Sequence, residues 1–168
     1  MDIHDRSVKR FISSVTTAMI TIFILWAIFT FVLGVKMAPN DDMVPRVSAG
    51  DILLFYRIDK QVDTKDVIVI EKNDTCYVLR VIAAEGDTVD ITEESGLVIN
   101  GKPASEENIY YSTPRYEGFV EYPVTLEKDE CFVLADKREG GEDSRYFGPV
   151  KIKEIRGTVI GQFRRAGI

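Results

Sequence analysis

Histidine and tryptophan each occur once in the 168 residues, and cysteine only twice. His4, Cys76 and Cys131 therefore assemble neither a Cys-x-x-Cys pair nor a Cys/His set at metal-ligand spacing, and no metal site is expected. A Gly-rich phosphate loop, an internal repeat and a low-complexity tract are all missing too, so no small-molecule cofactor is expected. Positive charge is scarce beyond the N-terminus. Four of the 21 basic and two of the 27 acidic residues lie within residues 1–36, so the remaining 132 carry 17 basic and 25 acidic side chains, a net of -8. Such a surface repels phosphate backbones, which excludes nucleic acid as a partner.

What the chain does have is one long apolar run. Residues 11–35, from Phe11 to Val35, contain no charge, enough to cross roughly 30 Å of hydrocarbon as a helix. Arg6, Lys9 and Arg10 precede the run and only Lys36 follows it, which predicts a single-pass anchor with residues 1–10 cytoplasmic and residues 37–168 extracellular. Val35-Lys36-Met37-Ala38 is a poor small-x-small cleavage site, and the run exceeds the usual h-region, so the anchor is expected to stay uncleaved.

Beyond Met37 the pattern is mainly β. Short β-rich runs fall at Asp51–Arg57, Val67–Glu71, Cys76–Ala83, Thr88–Thr92, Leu97–Asn100, Glu130–Ala135, Lys151–Ile155 and Gly157–Phe163, broken by turn residues. Asn100-Gly101 is the strongest hairpin turn, because a type I′ turn needs positive φ at both central positions. The aromatic-bearing segment Ser105–Leu126 has no clean period and is expected to pack as an irregular excursion over the sheet. Cys76 and Cys131 each sit in an apolar strand; they read as buried thiols, with a cross-strand disulfide left open if those strands are neighbours.

Three stretches carry more. Asp42-Met43-Val44-Pro45-Arg46-Val47-Ser48-Ala49-Gly50-Asp51 resembles the Ser-Met-x-Pro-Thr-Leu-x-x-Gly-Asp box of type I signal peptidases. Tyr77-Val78-Leu79-Arg80-Val81-Ile82-Ala83-Ala84-Glu85-Gly86-Asp87 resembles their Tyr-x-Lys-Arg-Val-x-Gly-x-Pro-Gly-Asp box. Leu134-Ala135-Asp136-Lys137-Arg138-Glu139-Gly140-Gly141-Glu142-Asp143-Ser144-Arg145 is similar to Leu-Gly-Asp-Asn-Arg-x-x-Ser-x-Asp-Ser-Arg. The three follow one another in the family's order behind a single anchor. The resemblance implies a coiled, mostly antiparallel β domain with an apolar surface against the membrane. It also implies a groove in which the first two boxes pair with an extended peptide. Met43, Val44, Pro45, Leu79 and Arg80 are the expected groove residues, and Asp136, Arg138, Asp143, Ser144 and Arg145 the structural box.

The same resemblance implies that the chemistry is gone. The family attacks with a serine activated by a buried neutral lysine, whereas Asp42 and Leu79 stand at those positions. Gly141 replaces the serine that orients the lysine, and Asn40 stands on the oxyanion side. A carboxylate at Asp42 would oppose a developing oxyanion by about 4 kcal/mol at 4 Å and an effective dielectric near 20. Arg80 stays protonated and cannot serve as the base, and Ser48 reads as a turn residue. Signal-peptidase-like chains without the dyad resemble accessory proteins of Gram-positive pilus assembly. That implies a chaperone or adaptor whose partners are membrane lipid and pilin subunits and/or a class C-type sortase. The rival expectation keeps a peptidase in which Asp42 shares a proton with Asp136 or Asp143.

Overall fold

The computed structural model describes residues 3–58, 61–104, 109 and 112–164. Helix α1 covers Ile3–Ala27 and runs on through a π-helical turn at Ile28–Val32. The 25 residues Val8–Val32, at a mean hydropathy of 2.2, form the one candidate membrane span among the described residues, about 37 Å long at 1.5 Å per residue. Its most apolar 18 residues are left unburied by the rest of the described residues. Four of its hydroxyls are satisfied within the helix: Ser14, Thr16, Thr17 and Thr21 each donate to the carbonyl four residues back, which suits an apolar surrounding.

The helix stops three residues short of the expected Val35. Leu33–Met37 form strand β1, paired with β2 (Ile52–Tyr56) in the register Leu33↔Tyr56 to Met37↔Ile52. The Arg57 amide donates to the Val32 carbonyl at 2.9 Å and fixes the changeover. Gly34 permits it, because a Cβ there would collide with the Phe55 ring.

The remaining strands are β3 (Val67–Lys72), β4 (Thr75–Ala83), β5 (Thr88–Ile91), β6 (Leu97–Ile99), β7 (Lys102–Pro103), β8 (Val124–Thr125), β9 (Glu130–Leu134), β10 (Val150–Lys151) and β11 (Ile155–Phe163). They form two antiparallel sheets, ordered β1-β2-β11-β3-β4-β9-β10 and β7-β6-β5-β8. Asn100 and Gly101 take φ of 52° and 74° at the β6–β7 turn, as expected. Asn73 and Asp74 do the same between β3 and β4, at 51° and 61°.

The expected strand Lys151–Ile155 is broken. Ile152–Glu154 is a 3-10 turn, because the Glu154 carboxylate folds back to accept the Lys151 amide at 2.8 Å and the Lys72 ammonium at 3.2 Å. Strands β4 and β9 are neighbours, yet both cysteines are free. The register sets Val81 opposite Val133 and Ala83 opposite Phe132, so Cys131 lies past the Ala83 end while Cys76 is seven residues away at the other. That is roughly 23 Å of strand, far beyond disulfide reach.

Candidate functional site

The first box is a closed loop between β1 and β2. Ala38 N–H donates to Asp51 O at 2.8 Å and Gly50 N–H to Ala38 O at 3.0 Å, while the Asp51 carboxylate accepts the Ser48 amide at 3.0 Å. Ser48 is therefore the expected turn residue. Met43 (1% exposed) and Val47 drop into a core with Leu53, Phe55, Val69 and Val78 and pin the loop. Asn40, Asp42 and Val44 are left half-buried or exposed on its outer side, with Pro45 and Arg46 exposed beside them.

Asp42 is tied up locally. Its Oδ2 accepts from Asn40 Nδ2 at 2.6 Å and its N–H donates to Asn40 Oδ1 at 3.3 Å, so Asn40 is engaged with the carboxylate rather than aimed at an incoming oxyanion. The Asp42 carbonyl accepts the Lys137 amide at 2.8 Å, which latches the first box to the third. Burial is the largest influence on the Asp42 carboxyl and pushes its pKa up; Asp143 and Glu142 push the same way, against the Asn40 hydrogen bond and Lys137. Asp42 is thus tied to Asn40 and, through Lys137, to the third box.

Three expected groove residues are placed otherwise. Leu79 is fully buried, in one cluster with Ile68, Ile70, Val81, Val133 and Ala135, and presents nothing to a groove. Met43 is core for the reason just given. Arg80, 8% exposed, grips Asp136 bidentately, Nε to Oδ1 at 2.7 Å and Nη2 to Oδ2 at 2.6 Å, and also donates to Lys65 O at 2.8 Å. Its role is that of a staple between β4 and the third box. Of the expected set only Val44 and Pro45 remain accessible.

A candidate groove is left to the backbone instead. The two-residue β3–β4 turn makes Lys72↔Thr75 a hydrogen-bonded pair, so Tyr77 and Leu79 also bond towards β3. The N–H and C=O groups of Cys76 and Val78 then point to the opposite edge, where β9 joins only from Arg80↔Leu134 onward. On that side Cys76, half-buried, and Val78, 3% exposed, have no strand partner among the described residues, and with Val44 and Pro45 of the first box they mark the candidate place for an extended strand.

The third box is the firmest part of the site. Asp143 and Arg145 are both fully buried, paired Oδ1 to Nε at 2.9 Å and Oδ2 to Nη2 at 2.7 Å. Asp143 also caps the short helix α2 (Ser144–Phe147) through the Arg145 amide and accepts the Ala135 amide at 3.0 Å. Ser144 Oγ accepts the Val133 amide at 3.0 Å. Arg138, fully buried, donates to Ala135 O and to Thr113 Oγ1, each at 2.8 Å. With their oxygens committed to arginines and amides, neither Asp143 nor Asp136 is placed to share a proton with Asp42.

Thr113, Pro114 and Tyr116 were not singled out from sequence. The Tyr116 ring lies 4.4 Å from the Arg145 guanidinium, its hydroxyl donates to Gly141 O at 3.2 Å, and Pro114 O accepts from Arg145 at 3.2 Å. This part of the expected excursion Ser105–Leu126 seals the third box; residues 105–108, 110 and 111 lie outside the described residues. Gly141 is buried so tightly that a Cβ there would stand 2.6 Å from the Ala135 Cβ and 3.2 Å from Lys137 O. No cluster of metal-ligating side chains occurs among the described residues.

A last feature adjoins α1. Val35 and Met37 of β1, Ile52 of β2, and Ile160 and Phe163 of β11 are all exposed, with Met37, Ile52 and Phe163 at matched register positions. They make an apolar sheet face that starts where the membrane span ends.

The family model for signal peptidase, peptidase S26, matches residues 9–163. Signal peptidase I of Bacillus caldolyticus is 31% identical, covering 77% of this chain and 78% of that protein; the signal peptidase I of Leptolyngbya laminosa is 27% identical, covering 89% and 77%. A Staphylococcus aureus protein named inactive signal peptidase IA is 25% identical over 90% of each chain. Among solved structures, a signal peptidase I from Enterococcus faecalis V583 is 26% identical, with a TM-score of 0.48 over 58% of this chain and 96% of that one.

Proposed function

Since the chain belongs to the signal peptidase family, peptidase S26, we propose that it is a non-catalytic member, an accessory or chaperone protein of sortase-mediated pilus assembly. It would hold an extended segment of a pilin or a sortase along the unpaired edge of β4, at the outer face of the cell membrane. The observation that carries the non-catalytic reading is Leu79, sealed at 0% exposure at the position that resembles the family's lysine, while Asp42 stands at the serine position. A side chain with no ionisable group can neither take nor return a proton. Relatives named inactive signal peptidase IA support the same reading. The pilus setting rests on the resemblance of dyad-less signal peptidases to pilus accessory proteins, and the orientation on the basic flank of the span.

The test has two arms. Purified protein in lipid nanodiscs should leave a signal-peptide substrate intact; cleavage that is lost on Asp42→Ala would overturn the non-catalytic reading in favour of a peptidase with altered chemistry. Deletion of the gene should abolish the covalent pilin ladder on the cell surface, and Val44→Trp should do so while leaving the protein folded. An undisturbed ladder in the deletion strain would refute the pilus role.

A further inference from the structure

Beside the groove lies a cleft of about 420 Å³, between the first-box loop, the segment before β3 and the smaller sheet. Its lining includes Arg46, Lys65, Arg80, Ile82, Asp87 and Ile99. The charges in it are unevenly matched. Arg80 is neutralised by Asp136, and the Asp87 carboxylate is bonded by the Ala84 amide at 2.9 Å and the Asn100 side chain at 2.7 Å. Arg46 and Lys65 are held only by their backbones: Arg46 O accepts from Gln162 at 2.6 Å, and Lys65 N–H donates to Val81 O at 2.8 Å. Both are exposed, and neither side chain has an anionic partner among the described residues. Asp87 keeps its charge, since its donors are neutral, but the two cations outnumber it and leave the cleft net positive on a domain whose net charge is -8.

The placement matters as much as the charge. Both rails of the groove lead into this cleft: Arg46 directly follows Pro45 on one side, and Arg80 and Ile82 follow Val78 on the other. A segment paired along Cys76–Val78 cannot continue on that edge, because β9 occupies it from Arg80 onward. It must leave the sheet there, on the face where Arg80 and Ile82 line the cleft. Arg80 and Ile82 lie two and four residues past Val78, roughly 7 and 13 Å at 3.3 Å per residue.

We infer that this cleft is the receiving end of the groove and takes an acidic side chain of the bound segment, two to four residues beyond the one opposite Val78, with Arg46 and Lys65 as its readers and Ile82 and Ile99 accepting the apolar neighbours. This rests on the groove reading above and adds the chemistry of the segment: small or apolar residues, then Asp or Glu.

The experiment is a selection of random twelve-residue peptides displayed on phage, against the full chain in nanodiscs. Enriched peptides should carry Asp or Glu in that window, and a resynthesised one should lose about tenfold in affinity on replacing Glu by Gln, the size expected of one or two partly exposed ion pairs. The Arg46→Glu/Lys65→Glu double variant should enrich Lys or Arg there instead, and Arg46→Gln/Lys65→Gln should show no preference. Peptides that enrich without an acidic bias, yet lose binding on Val44→Trp, overturn the cleft inference and leave the groove reading standing. Failure to enrich any peptide sensitive to Val44→Trp overturns both.

Discussion

Restoring a hydroxyl at residue 141 should unsettle the fold, and the neighbour responsible is Ala135. Gly141 lies outside the left-handed region of φ, so an added Cβ meets no backbone strain there, only a shortage of space. The obstacle is the Ala135 Cβ at 2.6 Å, well inside the 3.4 Å or more of ordinary contact. Ala135 is fully buried in the same cluster as Leu79, and its amide is bonded to Asp143, so it has little freedom to retreat. Gly141→Ser should therefore destabilise by about 1–3 kcal/mol, the usual cost of overpacking a tight core. Ala135→Gly alone should cost about 1–2 kcal/mol through the lost methyl and the freer unfolded chain. Together the two should be milder than their sum, with a coupling of about 1–3 kcal/mol measured by urea unfolding of the full chain in detergent. Additive effects would refute the reasoning. The pair also bears on attempts at revival: Asp42→Ser/Leu79→Lys/Gly141→Ser should stay inactive against a signal-peptide substrate until Ala135→Gly is added.

Other expectations follow from the same geometry. Asp143→Ala leaves a fully buried Arg145 charge uncompensated and should cost about 3–5 kcal/mol in a melt; a loss under 1 would mean that the third box is wetter than it looks. Burial pushes the Cys131 thiol up to about 12, so a thiol reagent at neutral pH should label Cys76 in the folded protein and Cys131 only in denaturant. The Asp42 carboxyl is raised in the folded state, so ionising it costs stability as pH climbs through its unfolded and then its folded value. Asp42→Asn should accordingly melt higher than the parent at neutral pH and lose that advantage at a pH below the ordinary carboxylate range; the reverse order would refute the cause.

Much of the domain could be read in advance, because half-buried strands alternate and turns use Asn, Asp and Gly. The misplaced pieces have physical reasons. Leu33–Val35 look the same in lipid as on a sheet face, so nothing in hydrophobicity marked where helix gave way to β1. Every residue of β4 from Val78 to Ala83 is buried, so alternation could not say which face Leu79 takes. The groove lies in backbone edges, which side-chain patterns do not report. Arg80 finds Asp136 across 56 positions and Arg138 finds Thr113 across 25; such partners are set by topology. Gly141 was read from the sequence as a departure from the family pattern, but only the folded loop brings Ala135 against it.

Val32 closes the span and Leu33 opens the sheet, with no residue between them. A tethered module on a flexible stalk can sweep a volume of the cell wall; this one has no stalk. On the function proposed above, a captured segment must come to the bilayer surface, and a membrane-borne partner would be found by lateral diffusion in two dimensions. Weak contacts then suffice, because confinement to a thin layer supplies a high effective concentration that a dissolved segment would lack. Inserting a flexible linker after Val32 should leave intrinsic peptide binding unchanged while weakening capture of a membrane-anchored partner.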